Sequence, residues 1–194
     1  NPELVINFYN ERRKQLLDVV PNAGHLGVAD LERDFNVTVV TQNVDNLHER
    51  AGSTHVIHLH GELTKVCSSR DPYNPHFVKE LAPEEYEVKL GDKAGDGTQL
   101  RPFIVWFGES VPEIETAIRY VEQADIFVII GTSLNVYPAA GLLNYVPRAA
   151  EVYLIDPKPV DTHVMRPIHV IQKGASEGVK ELKALLAATQ PPLL

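Results

Sequence analysis

The chain has 194 residues, of which 44% are hydrophobic, 23% charged and 7% aromatic. That excludes a disordered, collagen-like or coiled-coil protein and leaves length for one domain with a sizeable core and a small insertion. Lys and Arg total 18 against 26 Asp and Glu, a formal net charge of −8 that argues against nucleic acid as the partner, and the single cysteine, Cys67, excludes an internal disulfide or a multi-cysteine metal site.

In chain order, Asn1-Pro2-Glu3 reads as a helix start, with a capping amide, Pro at the first helical position and an acid in the first turn. With no initiator Met and no signal-peptide pattern, the chain is expected to begin within a longer protein. This helix is predicted to run to about Leu17, and Asn22 to cap a second one toward Phe35. Val37–Thr41 is β-branched throughout and predicts a buried strand, and His55–Leu59 a second. From Thr64 to Arg101, Pro72, Pro75, Pro83 and a Gly/Asp-rich run predict a loop-rich insertion. Phe103–Phe107 is a predicted strand, Pro112–Ala124 a helix and Asp125–Ile130 an apolar strand covered on both faces. A helix over about Pro138–Tyr145, strands at Glu151–Ile155 and Ile168–Ile171, and a last helix capped by Ser176 and ending near Ala188 complete the pattern. The alternation argues for a doubly wound parallel α/β sheet. The longest apolar run, Ile126–Ile130, is strand-sized and far short of the roughly 20 residues of a membrane span. Cytosol is the expected compartment.

In such sheets ligands lie beyond the carboxyl ends of strands. Two of those ends are polar: Gln42-Asn43-Val44-Asp45-Asn46-Leu47-His48, and Gly131-Thr132-Ser133, whose hydroxyls suit a ribose or phosphate. His58-Leu59-His60-Gly61-Glu62 on a strand would point both imidazoles and the carboxylate one way. That supports either a metal site or a single general base. Tyr9 and Arg12 share a face of the first helix, and by spacing alone they read as part of a solvated basic face with Arg13 and Lys14.

Four segments in order carry a family resemblance: Thr41–Gly52, His58–Leu63, Val105–Glu109 and Gly131–Ala139. Through them the chain resembles the sirtuins, the NAD-dependent protein deacylases. The resemblance implies a Rossmann-like sheet over 1–63 and 101–194, with 64–100 as a small insertion in place of the family's zinc module. It implies that Gln42, Asn43, Val44 and Asp45 line the nicotinamide-ribose pocket, that His60 is the catalytic base, and that Asn43 and Asp45 position the ribose and a water. Gly131, Thr132 and Ser133 match the turn at the adenosine side of NAD. Asp156, Pro157 and Lys158 fall at the adenine loop, with Asp156 in place of the usual Asn, and Ala175 at the last adenine contact. Val105, Phe107, Gly108 and Glu109, with Leu134, Asn135 and Val136, resemble the two edges between which a substrate peptide adds as a strand.

The chain departs from the family pattern twice. The glycine-rich NAD segment that opens sirtuins has no counterpart, because Asn1 stands on the helix that normally follows it. The two Cys-x-x-Cys pairs of the zinc ribbon are reduced to Cys67, so no zinc is expected. Sirtuins that remove succinyl, malonyl or glutaryl groups carry Tyr-x-x-Arg on the helix lining the acyl-lysine channel, and Tyr9-Asn10-Glu11-Arg12 fits that pattern. A carboxylate-ended acyl chain wants a guanidinium and a phenol hydroxyl. The expected activity is therefore NAD-consuming lysine deacylation of protein or peptide substrates by a monomer, with succinyl and malonyl favoured over acetyl. Its rivals are NAD glycohydrolysis or ADP-ribosyl transfer, a non-catalytic NAD or acyl-lysine binding module, and last a metal-dependent hydrolase using His58 and His60.

Overall fold

The computed structural model describes residues 1–132, 139–159 and 166–189. Along the chain come α1 (Pro2–Asp18), α2 (Ala23–Asp30), β1 (Val39–Thr41), α3 (Leu47–Ala51), β2 (Val56–His58), β3 (Gly61–Ser68), β4 (Lys79–Glu80) and β5 (Leu100–Ile104). They are followed by α4 (Ile114–Val121), β6 (Ile126–Ile130), β7 (Glu151–Ile155), β8 (His169–Ile171) and α5 (Ala175–Thr189). The chain divides into two compact units, Asn1–Val20 with Thr41–Asn46 and His58–Val111, and Pro21–Val40 with Leu47–Ile57 and Pro112–Leu194. The boundary falls inside β1 and β2, which pair with each other.

The second unit carries the parallel, Rossmann-like sheet. β6, β7 and β8 run parallel in that order, in a register that sets Ile126 beside Glu151 and Ile130 beside Ile155. Tyr153 and Ile155 of β7 pair with His169 and Ile171 of β8. The β-branched runs that make these strands also make the core, in which Tyr153, Ile155 and Ile171 pack against Val28 and Leu31, and against Val179, Leu182 and Leu186 of α5. Asn22 caps α2 by accepting from the amides of Gly24 and His25, as its position suggested. α5 begins at Ala175, which leaves Ser176 inside the first turn.

The first unit is built on an antiparallel sheet, β4–β3–β5, against which α1 packs with Ile6 beside Val66 and Val88. The stretch expected as loop is mostly turns and irregular chain, but its two ends and a short piece at 79–80 are strand. β3 escapes a period-2 reading because Val66, Cys67 and Ser68 are all buried, and its register slips between Gly61 and Val66. Pro75 and Pro83 instead start short 3-10 turns. The strand expected at Phe103–Phe107 ends at Ile104, where the chain turns, and Pro102 is tolerated because β5 is an edge strand. The helix expected near Pro138–Tyr145 is a 3-10 helix over Ala139–Tyr145. Among the described residues no helix is long and apolar enough to cross a membrane.

Candidate active site

Four successive carbonyls at the end of β1 each take a hydrogen bond from the segment 58–63. Thr41 O accepts from Leu59 N at 2.9 Å and Val44 O from Leu63 N at 2.7 Å, while Gln42 O lies 3.1 Å from His60 Nδ1 and Asn43 O 3.3 Å from His58 Nδ1. Thr41, buried, turns its Oγ1 back to accept the Asn43 amide at 3.0 Å. The polar loop is thereby sewn to the histidine segment, with Asn43 exposed and Gln42, Val44 and Asp45 half-buried. Asn46 Oδ1 is buried with no hydrogen-bond partner among the described residues. A buried acceptor of this kind fits a donor on a polar ligand, such as an amide or a ribose hydroxyl.

The carbonyl of Gln42 can only accept, so His60 Nδ1 is the donor in this bond and Nε2 is the ring's outer nitrogen. His58 is 9% exposed and half-anchored by the same bond type. The two do not share a strand face as the spacing suggested. β2 stops at His58, the chain turns through Leu59 and His60, and Gly61 restarts as β3 with φ +83°. A Cβ at Gly61 would lie 2.0 Å from Phe103 O, so this turn admits glycine alone. Glu62 pairs with Lys65 at 2.6 Å.

On α1, Tyr9 is half-buried and Arg12 is exposed, its guanidinium 5.3 Å from the Phe8 ring centre. Arg13 turns the other way. Only 3% exposed, it donates to Tyr86 O at 2.7 Å and Asn10 Oδ1 at 2.7 Å, and burial lowers it to about 10. Of the two adjacent arginines, Arg12 is therefore the one left outward, against the Phe8 ring. Tyr9 Oη accepts from Trp106 Nε1 at 2.8 Å. Trp106 belongs to the turn after β5, where Glu109 N donates to Trp106 O at 3.0 Å and Gly108 has φ +88°. Glu109 accepts from Trp106 N at 2.8 Å and binds Arg101 through both oxygens at 2.7 and 3.0 Å. The Arg101 bond, chiefly, holds the Glu109 carboxyl below its ordinary range. Val105 donates to His60 O at 2.9 Å, and Phe107 projects fully into solvent.

In the second unit, the remaining expected residues sit at the carboxyl ends of parallel strands. Gly131 follows β6 with φ +63°, donates to Ile155 O at 2.9 Å, and among the described residues has no atom within 4 Å of where a Cβ would be. Thr132 beside it is half-buried. Asp156 follows β7 and accepts the Lys158 amide at 2.8 Å, with Pro157 and Lys158 exposed. Ala175 opens α5 after β8. Open space over a glycine at a strand end fits a backbone approached by a phosphate or ribose. Ser133, Leu134, Asn135 and Val136 lie outside the described residues.

Cys67 is completely buried, donates its S–H to Pro102 O at 3.7 Å, and is pushed up to about 11 by burial. A thiol held protonated in this way does not fit a zinc thiolate. The anchoring roles of Asn10, Arg13 and Arg101 leave no mark in the sequence. All three act on backbone carbonyls or on partners distant in sequence, for which the chain carries no local signal.

A family model described as Sir2 family matches residues 1–138. Over 186 residues the chain is 83% identical to a relative from Bacteroides thetaiotaomicron named NAD-dependent protein deacylase, covering 96% of this chain and 80% of that protein. Among solved structures, a Sir2 homolog–NAD complex superposes with a TM-score of 0.81 at 36% identity, covering 98% of this chain and 74% of that one. A Sir2 complex with a p53 peptide and NAD+ superposes with a TM-score of 0.71 at 27% identity, covering 90% of this chain and 74% of that one.

Proposed function

The chain belongs to the Sir2 family and is an NAD-dependent protein deacylase, and within that activity we propose that it removes succinyl and malonyl groups from protein lysines in preference to acetyl. The observation that carries the preference is the outward pair on α1: Arg12 exposed, Arg13 locked inward, and the Tyr9 oxygen already occupied as an acceptor by Trp106. A guanidinium beside a phenol left to donate its own proton recognises an acyl chain ending in a carboxylate, and leaves a neutral acetyl group without a partner for either.

Bound NAD would supply an electrophilic ribose carbon that takes the acyl carbonyl oxygen as the bond to nicotinamide breaks, and with one water consumed the products would be free lysine, nicotinamide and O-acyl-ADP-ribose. His60 takes a proton from a ribose hydroxyl at Nε2, the nitrogen left bare by its bond to Gln42. Asn43 and Asp45 position that ribose and a water, with Gln42 and Val44 beside them. Gly131, Thr132, Ser133, Asp156, Pro157, Lys158 and Ala175 hold the adenosine side. Val105, Phe107, Gly108 and Glu109 are one set of residues assigned to the substrate peptide, which adds as a strand, and Leu134, Asn135 and Val136 are the other. In this reading 1–63 and 101–194 form the NAD-binding part and 64–100 an insertion that carries no zinc, in a monomeric cytosolic protein.

The test is kcat/KM on matched succinyl-, malonyl- and acetyl-lysine peptides. Arg12→Met should lower the succinyl value at least tenfold, the cost of removing the partner of a charged group, and reverse the order of substrates. Tyr9→Phe should give a smaller loss of the same sign. Equal losses on both substrates would make Arg12 a structural residue and the protein a general deacetylase.

A further inference from the structure

Arg101 stands outside every motif singled out above, yet its contacts converge on one ring. Its guanidinium carbon lies 3.6 Å from the centre of the Trp106 ring, flat-on distance for a cation over an indole. The same guanidinium is fixed by the two-oxygen bond to Glu109 and by a 2.8 Å bond to Ile104 O, and its side chain is only 11% exposed. Glu109 in turn holds the Trp106 amide. The indole is thus gripped by its face and by its backbone, and one directed group is left at its edge, the Nε1–H that points at Tyr9 Oη. A phenol oxygen that accepts in one direction presents its proton in another, so the indole sets the polarity of Tyr9.

We propose that Arg101 is a positioning residue for acyl recognition: by clamping Trp106 it fixes the Tyr9 hydroxyl as a donor toward the carboxylate of an acidic acyl-lysine. This rests on the acyl preference proposed above. A flexible cation at position 101 keeps the charge and loses both the planar stack and the fork on Glu109, because an ammonium offers neither. The indole then swings, and the phenol accepts or donates in no fixed direction. Acetyl-lysine, which makes no hydrogen bond at its methyl end, should not register the change.

The experiment is a double-mutant cycle between Arg101→Lys and Tyr9→Phe, read with both substrates and with tryptophan emission, since Trp106 is the sole tryptophan of the chain. Arg101→Lys should raise KM for a succinyl-lysine peptide about fivefold, the worth of one hydrogen bond, with kcat held and acetyl-lysine KM unchanged. In the Tyr9→Phe background the same substitution should add nothing. Trp106 emission should shift on Tyr9→Phe, and that shift should vanish in Arg101→Lys. Trp106→Phe, which keeps an aromatic ring and deletes only the donor, should reproduce the succinyl-specific KM rise even if Arg101→Lys folds poorly. Equal KM rises on both substrates, or additive effects across the cycle, would overturn the proposal while leaving a wild-type succinyl preference intact. If the wild type shows no such preference, the acyl reading itself fails and the specificity role of Arg101 goes with it, while the emission cycle still decides whether Arg101 holds Trp106 against Tyr9.

Discussion

His58 and His60 use the same nitrogen in the same way, each giving Nδ1–H to a carbonyl of the strand-end loop, and they differ in what surrounds the other nitrogen. His58 is buried, whereas His60 stands in the turn before Gly61 with its ring partly open. Their replacement by alanine should therefore separate. His60→Ala should abolish acyl-lysine removal with an unchanged unfolding midpoint, while His58→Ala should cost about 1–3 kcal/mol of stability by emptying the place of a buried imidazole and removing its bond to Asn43 O. Denaturant midpoints and single-turnover rates on the two variants check this, and normal turnover with alanine at 60 would remove the general-base role. The His-Gly-Glu-Leu segment singles out His60 in the sequence, but the tautomer is not legible there, because it depends on a carbonyl 18 positions away. Arg12 and Arg13 show the same limit. Adjacent helix residues point about 100° apart, and only packing decides which of them faces inward.

At the scale of elements, β3 and the loop that faces it were the least legible part. Ser68 ends β3 with no exposure and accepts the amides of Arg70 and Asp71 at 3.0 Å each. It donates to Asp96 Oδ2 at 2.7 Å, and Asp96 Oδ1 also takes Thr98 Oγ1 at 2.7 Å. These partners are 28 and 2 residues apart, so a Gly/Asp-rich run that looks like flexible loop is in fact tied to a strand. The Ser68 hydroxyl first, and then Thr98, holds the Asp96 carboxyl down to about 2. A carboxyl depressed in the folded state stabilises fully above its unfolded value of about 4 and loses that contribution as pH falls through its folded value. Asp96→Asn should thus be less stable than wild type at neutral pH, and the gap should close between about pH 4 and pH 2, as denaturation midpoints along that range would show. An unchanging gap would mean that the knot stabilises by shape alone. The buried Cys67 thiol beside it should bind no stoichiometric zinc when stripped protein is exposed to the metal and analysed by element. One zinc per chain, lost on Cys67→Ser, would reverse that expectation.

At the scale of the molecule, the alternation of strands and helices made the parallel β6–β7–β8 sheet legible, since each strand is a local apolar run. The antiparallel sheet escaped because it is defined by pairing between distant segments, Cys67 with Arg101 and Lys65 with Glu80. What the whole chain does fix in advance is its field. A net charge of −8 draws a cationic peptide toward the protein and repels an anionic one at distances up to the Debye length, about 10 Å at 0.1 M salt and about 30 Å at 0.01 M. In the proposed reading Arg12 and Tyr9 recognise the acyl group at short range, so salt should act on encounter and leave chemistry alone. For a succinyl-lysine peptide flanked by lysines, kcat/KM should fall several-fold between 0.02 and 0.3 M salt, wholly through KM. With the same peptide flanked by glutamates it should rise or stay level. The ratio of succinyl to acetyl turnover within either peptide should not follow that trend, because both acyl forms share the flanks. Parallel salt responses for the two flanking charges would show that the field of the molecule plays no part in substrate choice, and that selection rests on the contacts within the channel.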